Sequence, residues 1–458
     1  MRPLGRSPQL NFPTLWDQEV RHTGPLILYS AFTGALAGLL LAFLNALLRA
    51  LTEALGLFFG YLAPEPPGEG GLAQAFTGPS FWPLAFLLPL LFALTSLLGT
   101  GQGLAAFLLQ AREDRPSPPS SHLRAVLGGI LQLSLYSPMG REGPFGVLGL
   151  WLGRGLDRRF PRLGGGLAFA GLAAGLGASL HAPVAGALLA TEILYRSLLL
   201  EARALTPALI GALAGFAVYG AFYGYTPLLT FQAQVDMGAL PAGALVGLVA
   251  AALATLWVEG SRFLEGRIRP LPYPWRHALL GLALALALLV LPEALGSGLG
   301  WVAVATTPLL PPLAVLSLLF AKLLLLLLAS GIRAYGGPYT PALVLGGLLG
   351  AFLAHLPGPL ALPPETLALA GGVAVLAGVA RAPFAATVLA AEWGGYATLP
   401  LVLPAVLLAY VLTPAYNPAE GVREEQATPE GSPSETPPQR EPPPPDPEGA
   451  GGRETPPG

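Results

Sequence analysis

Ten residues, Ser137-Pro138-Met139-Gly140-Arg141-Glu142-Gly143-Pro144-Phe145-Gly146, place an arginine and a carboxylate between glycines within an apolar stretch. Pro144 suits the first turn of a helix, because an N–H has no intrahelical acceptor there. Glu142 is therefore predicted at a helix N-terminus, where unpaired N–H groups and a partial positive charge favour an anion. That anion is either the Glu142 carboxylate or a small inorganic ion that replaces it. The alternative is a salt bridge between Glu142 and Arg141 that only stabilises the fold.

The elements that must position these residues are apolar. Of 458 residues, 53% are hydrophobic and 11% are charged, against about 25% charged in an ordinary soluble domain. Several apolar runs reach the ~20 residues that a helix needs to cross a bilayer; they are 26–48, 81–98, 240–258 and 309–328. The composition predicts an all-α polytopic membrane protein in contact with a lipid bilayer. The formal net charge of −2 gives no sign of a nucleic-acid partner.

Loop charges predict the orientation. Arginines cluster in residues 1–22, 111–124, 154–162 and 259–276, and the positive-inside rule places such segments in the cytoplasm. Residues 60–80 and 223–237 lack basic residues and would face the opposite side. We expect a cytoplasmic N-terminal segment over 1–22, cytoplasmic termini and a location in a bacterial inner membrane. Residues 417–458 are rich in Pro, Glu and Gly, a composition that predicts a disordered tail.

Several apolar segments are too short or too interrupted by Gly and Pro to span a bilayer. They are 104–110, 144–153, 182–191 and 341–355. Broken helices are tolerated at membrane depth where protein or a water-filled cavity satisfies the freed backbone. In transporters their N-termini commonly point at an anionic substrate. The pattern favours a channel or transporter.

The chain also repeats itself. Ala182-Pro183 is followed by small residues and by Glu192, nine residues after the proline, and Ala382-Pro383 is followed in the same way by Glu392. Residues 143–145 (Gly-Pro-Phe) have a looser counterpart in 337–339 (Gly-Pro-Tyr). Chance similarity in an Ala- and Pro-rich chain is the alternative. The repeat predicts two membrane halves, 23–225 and 226–416, with a site near the midplane between them.

These residues resemble the CLC family of chloride channels and chloride/proton antiporters, over about residues 23–412. The segment 140–144 (Gly-Arg-Glu-Gly-Pro) matches the family's G-[KR]-E-G-P motif. Residues 99–103 (Gly-Thr-Gly-Gln-Gly) stand where the family has G-S-G-I-P, and 336–341 where it has G-G-x-F-x-P. Residues 181–192 resemble its N-A-P-x-A-G…E segment. The resemblance implies two inverted-topology repeats with broken and tilted helices, and a homodimer with one chloride pathway in each subunit.

The resemblance also implies roles for single residues. Glu142 would be the external gate, whose carboxylate occupies the pathway and swings away when it is protonated or displaced. The Thr100 hydroxyl would bind chloride. The anion would further meet backbone N–H groups from two sides, namely those of Gly143, Phe145 and Gly146 and those of Tyr339 and Thr340. Residues that would support this filter are Gly99, Gly101, Gly140, Arg141, Pro144, Gly337 and Pro338.

Two positions bear on proton coupling. Antiporters of the family carry an inner glutamate directly after the position of Glu192, and here that residue is Ile193, which cannot titrate. Glu192 is either structural, the interpretation we favour, or a substitute relay. His181 is likewise either a capping group or a relay. The relay is considered because histidine titrates near neutral pH. We expect chloride transport with weak or absent proton coupling; the alternative is a chloride/proton antiporter that uses Glu142 with water, Glu192 or His181.

Other departures concern the ends of the pathway. The family's late pore helix ends near a tyrosine that coordinates chloride, but Tyr416 follows Pro404 so closely that we expect a truncated helix. Thr100 replaces the family's serine, which leaves selectivity among chloride, bromide, nitrate and fluoride open. Lys322, ahead of a leucine run, either snorkels to an interface or raises the local anion concentration.

A membrane-embedded enzyme is a hypothesis of another class. It would need an activated nucleophile or a metal cluster. The sequence has five histidines, no cysteine and no H-E-x-x-H motif. We therefore expect no catalytic residue, no metal site and no cofactor.

Overall fold

The structure is a computed structural model. It describes residues 12–69, 76–77, 82–98, 104, 107–108, 110, 118–163, 165–195, 198, 200–230, 235–356, 360 and 362–414. All of these lie in one compact unit, residues 1–424. The predicted tail, the filter residues Gly99, Thr100 and Gly101, and Tyr416 lie outside the described residues.

Helices dominate the described part of the chain. The first half contains α1 Phe12–Phe59, α2 Trp82–Ala85, α3 Leu88–Thr95, α4 Pro119–Ser134, α5 Glu142–Arg159, α6 Gly166–Leu180, α7 Pro183–Glu192 and α8 Ala202–Tyr223. The second half contains α9 Leu240–Ile268, α10 Tyr273–Val290, α11 Leu299–Ala305, α12 Pro312–Gly331, α13 Tyr339–Leu353, α14 Pro364–Ala380, α15 Pro383–Gly394 and α16 Leu399–Leu412. A two-residue hairpin pairs β1 Tyr61–Leu62 with β2 Phe76–Thr77. The 3₁₀ turns are Pro67–Glu69, Ser96–Leu98, Pro161–Leu163, Met237–Ala239, Pro292–Ala294 and Tyr396–Thr398.

The lengths of these helices confirm the predicted all-α polytopic membrane fold. Among the described residues, five helical stretches are long and apolar enough to cross a bilayer: Gly24–Phe59, Ala202–Tyr223, Met237–Ile268, Tyr273–Val290 and Pro312–Gly331. The shorter apolar helices include Gly166–Leu180, Tyr339–Leu353 and Pro364–Ala380. Helices too short to span, packed among longer ones, are the broken helices that the sequence predicts.

The structure adds detail to four predicted segments. The apolar run 81–98 is divided into α2 and α3, because the ring of Pro89 would clash with the carbonyl of Ala85 in a continuous helix. Part of the segment 1–22 is helical, since α1 begins at Phe12, and its cytoplasmic location stays a prediction. The arginine-rich segments 154–162 and 259–276 are largely helical, because α5 and α9 continue to Arg159 and Ile268. Basic residues suit the last turn of a helix, where the dipole favours cations.

Matching contacts relate the two halves. A methyl group at Gly149 of α5 would lie 2.0 Å from the Gly171 carbonyl oxygen of α6, and one at Gly346 of α13 would lie 2.0 Å from that of Gly371 in α14. Glycine thus lets each pair of helices approach closely, as at other membrane helix interfaces. The described non-glycine residues with positive φ are also paired, Tyr136 with Arg333 and His181 with Arg381. The exact boundaries of the halves remain a prediction.

The structure corrects the alignment of the two pore segments. Pro144 is the third residue of α5, and Pro341 is the third residue of α13. The repeat offset here is therefore 197 residues, the difference between 341 and 144. The sequence comparison aligned residues 143–145 with 337–339, which is three residues out of register. The error arose because both segments contain Gly-Pro-aromatic, whereas the common feature is the proline in the first helical turn.

Candidate anion site

The N-termini of α5 and α13 meet. Gly140 and Gly337, just before the two helices, exchange both backbone hydrogen bonds: each N–H donates to the carbonyl of the other at 2.8 Å. The pairing is antiparallel, as expected for repeats of inverted topology. Two helix N-termini, each with unpaired N–H groups and a partial positive charge, therefore face one shared position.

The Glu142 carboxylate occupies that position. Its Oε1 accepts hydrogen bonds from the N–H groups of Tyr339 at 2.6 Å and Thr340 at 2.8 Å. Its Oε2 accepts from the Thr340 hydroxyl at 2.9 Å. Glu142 is completely buried. The carboxylate thus caps the helix opposite its own, and three donors converge on it.

Glycines around Glu142 leave space for its carboxylate, because they have no side chain. A methyl group at Gly337 would lie 2.4 Å from Glu142 Cγ, and one at Gly140 would lie 2.0 Å from Glu142 Oε2. A methyl group at Gly143 would lie 2.4 Å from the Gly336 backbone. Any larger residue at these three positions would have to push the carboxylate or the opposing loop aside. Gly140 and Gly337 therefore leave the space that the carboxylate occupies, and their role in supporting an anion filter stays a prediction.

The donors on the α5 side differ from the expectation. The Phe145 N–H donates to the Arg141 carbonyl at 3.0 Å inside the helix. The N–H of Gly146 is in the regular part of α5, where it pairs with the carbonyl four residues earlier. Pro144 has no N–H. Because the first helical N–H groups have no intrahelical acceptor, Gly143 remains the expected donor from this side.

Arg141 does not pair with Glu142. Its guanidinium forms an ion pair with Glu69 and donates to the Ser179 carbonyl at 2.9 Å and to Asn45 Oδ1 at 3.2 Å. Within the described part of the chain, the Glu142–Arg141 salt bridge considered from the sequence does not form. Arg141 instead joins the start of α5 to α1, to α6 and to the loop before β2.

Glu192 and Glu392 cap each other's repeat. Glu192 accepts from the N–H groups of Phe384 at 3.0 Å and Ala385 at 2.7 Å, at the start of α15. Glu392 accepts from Val184 at 3.0 Å and from the next N–H at 2.8 Å, at the start of α7. This exchange explains the repeated Ala-Pro…Glu pattern. It supports a structural role for Glu192, since both carboxylate oxygens are engaged.

The last relay candidate, His181, and the inner position, Ile193, lie at opposite ends of α7. Ile193 is buried directly after α7, and His181 precedes the same helix. The ten residues of α7 correspond to about 15 Å. His181 Nδ1 lies 2.9 Å from the Thr226 carbonyl oxygen, and its Nε2 lies 3.2 Å from Glu69 Oε1. His181 is thus close to Arg141 and cannot substitute for an acid at position 193.

Lys322 has a different environment from either expectation. Its side chain is completely buried, and Nζ donates to the carbonyls of Ala294 at 2.8 Å and Gly296. Neither an interface nor an open pathway is involved. The ammonium group instead ties α12 to the loop after α10.

Sequence reasoning missed Glu69 and Asn45. Glu69 is one of two acids in the Pro- and Gly-rich segment 60–69, and Asn45 is one polar residue within a long apolar helix. An asparagine inside a membrane helix is costly without a partner, so Asn45 could have been singled out. Nothing in the sequence connects Glu69 with Arg141, which lies 72 residues later.

Known sequences are similar to this chain over most of its length. The profile of the family described as "Voltage gated chloride channel" matches residues 99–414. A Salmonella typhimurium protein described as "Voltage-gated ClC-type chloride channel ClcB" is 32% identical over 339 residues, which cover 66% of this chain and 79% of the relative. Its namesake from Escherichia coli O81 is 30% identical over 373 residues, with 73% and 85% covered.

Solved structures share the fold. The structure of a slow cyanobacterial Cl⁻/H⁺ antiporter superposes with a TM-score of 0.71 at 22% identity, covering 85% of this chain and 94% of the other. That of a CLC-type fluoride/proton antiporter gives a TM-score of 0.73 at 22% identity, covering 88% and 98%. At this identity the similarity concerns architecture alone.

Proposed function

The chain belongs to the voltage-gated chloride channel (CLC) family, and we propose that it transports chloride or a similar small anion, with Glu142 as the gate. The sequence-matched relatives are described as chloride channels. The single observation that carries the proposal is the capping of α13 by the Glu142 carboxylate. A negatively charged oxygen occupies a buried site built from N–H and O–H donors.

The donors suit a mobile anion better than a fixed one. An anion that enters the site must shed water, and the dipoles of Tyr339 and Thr340 replace part of its hydration. Arg141, which directly precedes Glu142, is already paired with Glu69. The anion therefore meets dipoles instead of an unpaired full charge, so it can bind and also leave.

Gating follows from the acceptors of Glu142. An ionised carboxylate offers two acceptor oxygens, whereas protonation turns one of them into an O–H donor and reduces the acceptor capacity. Protonation therefore weakens the bonds from Tyr339 and Thr340 and frees their donors. A halide at high concentration competes for the same donors. Both routes displace the side chain and open the pathway.

Proton coupling is proposed to be weak or absent. Ile193 supplies no proton acceptor at the inner position, and Glu192 is engaged by two N–H groups. The antiporter alternative is a second candidate, since two proteins of similar structure are described as Cl⁻/H⁺ and fluoride/proton antiporters. It would use Glu142 with water, Glu192 or His181 in place of the inner glutamate.

A flux assay in liposomes with simultaneous pH recording tests both statements. Wild type, Glu142→Gln and a control variant, Glu259→Gln, are compared; Glu259 is a half-exposed acid near the end of α9. We expect Glu142→Gln to raise chloride flux at neutral pH and to remove most of its pH dependence, and Glu259→Gln to change neither. Unchanged flux and pH dependence in Glu142→Gln would refute the gate. Uphill proton movement driven by a chloride gradient in the wild type would favour the antiporter.

The assembly and orientation are also proposals. The family resemblance supports a homodimer with one pathway in each subunit, and the arginine-rich segments support cytoplasmic termini in an inner membrane. The side on which residues 60–69 lie would then be external. Mass measurement of the purified protein in detergent tests the dimer, and protease access in oriented vesicles tests the orientation.

A further inference from the structure

An acid from the segment connecting β1 and β2 lies against the pore motif. Residues 60–69, here called the Glu69 loop, end in the 3₁₀ turn Pro67–Glu69. The Gly68 N–H donates to the Leu228 carbonyl at 3.2 Å, and Arg49 donates to the Glu69 carbonyl at 3.2 Å and pairs with Glu65. These bonds hold the loop in place. The Glu69 side chain is 8% exposed.

Two basic side chains share one oxygen of Glu69. The Arg141 guanidinium pairs with Oε1, and His181 Nε2 lies 3.2 Å from the same Oε1. The His181 side chain is fully buried, and the Nε2–Oε1 contact is within ion-pair distance although it is not aligned as a hydrogen bond. Arg141 immediately precedes Glu142. The cluster is therefore covalently next to the gate.

The partners of His181 determine which nitrogens carry hydrogen. Nδ1 lies 2.9 Å from the Thr226 carbonyl oxygen, which can only accept, so Nδ1 bears a hydrogen. Burial by itself would raise the pKa of Glu69, but the charges of Arg141 and His181 outweigh it and hold that pKa at about 2. Glu69 is therefore a carboxylate. A neutral His181 would direct the Nε2 lone pair at an oxygen that also has only lone pairs, and a proton on Nε2 removes this conflict.

We propose that His181, held between Glu69 and Thr226, is a proton-binding site at the external mouth, distinct from the gate, whose occupation strengthens external anion binding. The proposal rests on the proposed function. The proton adds a positive charge next to Arg141. Protonated His181 also competes with Arg141 for Glu69 Oε1, so that Arg141 is less neutralised. Both effects make the mouth more attractive to an anion as the pH falls.

Other charged or titratable groups face this cluster from each element around it. They are Arg49 on α1, Glu65 in the Glu69 loop, Arg141 and Glu142 on α5, and Tyr219 and Tyr223 on α8. Arginine keeps its charge at all relevant pH values, and tyrosine is ordinarily neutral below pH 9. Glu142 and Glu65 are the acids whose titration must be separated from that of His181.

Chloride binding to Glu142→Gln protein, measured by calorimetry at pH 8.0 and pH 5.5, isolates the effect because the gate no longer titrates. We expect chloride to bind at least about threefold more tightly at pH 5.5, as one added charge nearby would give. The double variant Glu142→Gln/His181→Asn should lose this difference, whereas Glu142→Gln/Glu65→Gln should keep it. Asparagine is also the residue that the family motif carries at this position.

Two results would overturn the inference: equal affinities at both pH values, or a difference that survives His181→Asn. If Glu142→Gln does not bind chloride at all, the proposed function fails, and the site is then tested by histidine NMR of the otherwise wild-type protein. The resonance that is absent in His181→Asn should change with pH, and Glu69→Gln should lower its protonated fraction at a given pH. A resonance that is unaffected by Glu69→Gln would contradict the proton-binding site.

Discussion

Glu142 holds Thr340 through both of its carboxylate oxygens: Oε1 accepts from the Thr340 N–H at 2.8 Å and Oε2 from its hydroxyl at 2.9 Å. The two residues belong to different repeats, at the starts of α5 and α13. The contact therefore joins the halves of the molecule at the point where the proposed pathway passes between them. An anion that replaces the carboxylate would accept hydrogen bonds from the same Thr340 N–H and hydroxyl groups.

Thr340→Val removes one hydrogen bond to the gate at nearly constant volume. A hydrogen bond to a charged group contributes about 1.5–3 kcal/mol, so the closed position of Glu142 should be destabilised by about tenfold or more. We expect faster chloride flux at neutral pH in liposomes. Thr340→Ser, which keeps the hydroxyl, serves as the control and should resemble wild type. Equal flux in Thr340→Val and wild type would show that the Thr340 hydroxyl does not stabilise the closed position of Glu142.

Gly337→Ala tests whether the backbone at Gly337 lies as close to the Glu142 side chain as the structure shows. The added methyl group would lie 2.4 Å from Glu142 Cγ, so the carboxylate cannot keep its position. Flux should lose much of its pH dependence, as in Glu142→Gln. Gly155→Ala is the matched control, because a methyl group at this position of α5 meets nothing within 4 Å and alanine favours a helix. Normal pH dependence in Gly337→Ala would contradict the closed geometry.

The reciprocal caps predict equal effects from two distant substitutions. Glu192→Ala and Glu392→Ala each leave two helix N–H groups without their acceptor, at a cost of about 1–3 kcal/mol for each buried group. Both variants should unfold at lower temperature in detergent, by similar amounts, and the remaining folded protein should still transport chloride. A loss of proton movement in Glu192→Ala alone, with unchanged stability, would instead identify Glu192 as a relay.

The ion pair of Glu69 predicts how stability varies with pH. Burial opposes ionisation, but Arg141 and His181 lower the pKa of Glu69 from 4.5 to about 2. A depressed carboxyl pKa stabilises the folded state above pH 4.5, and this contribution is lost as the pH falls toward 2.

Thermal unfolding of wild type and Glu69→Gln should therefore differ above pH 4.5, and the difference should shrink as the pH falls from 4.5 toward 2. Glu65→Gln, which removes an acid from the same loop without touching Arg141 or His181, is the control and should have a smaller effect. A difference that grows as the pH falls below 4.5 would contradict the low pKa of Glu69.

Local rules predicted the parts of the fold that depend on neighbouring residues. The long apolar runs became α1, α9 and α12, and the helix start at Glu142 followed from Pro144 in the first turn. The repeated Ala-Pro…Glu pattern was a reliable sign of two related halves because its glutamates cap helices in each other's repeat.

Contacts between distant parts of the chain could not be predicted. The pairing of Glu69 with Arg141 depends on how the Glu69 loop folds over α5, and that fold is held by Arg49 and Leu228. The carbonyl partners of Lys322 come from a loop that is 26 to 28 residues earlier. The register of the pore segments was wrong because a short motif was matched without knowing where α13 begins.

The most direct test of the account is anomalous diffraction from crystals of Glu142→Ala grown in bromide. We expect a bromide peak between the starts of α5 and α13, within hydrogen-bonding distance of the N–H groups of Tyr339 and Thr340, where the carboxylate lies in the wild type. Bromide bound elsewhere, with no peak at these N–H groups even at high concentration, would contradict the claim that Glu142 and a transported anion compete for one site.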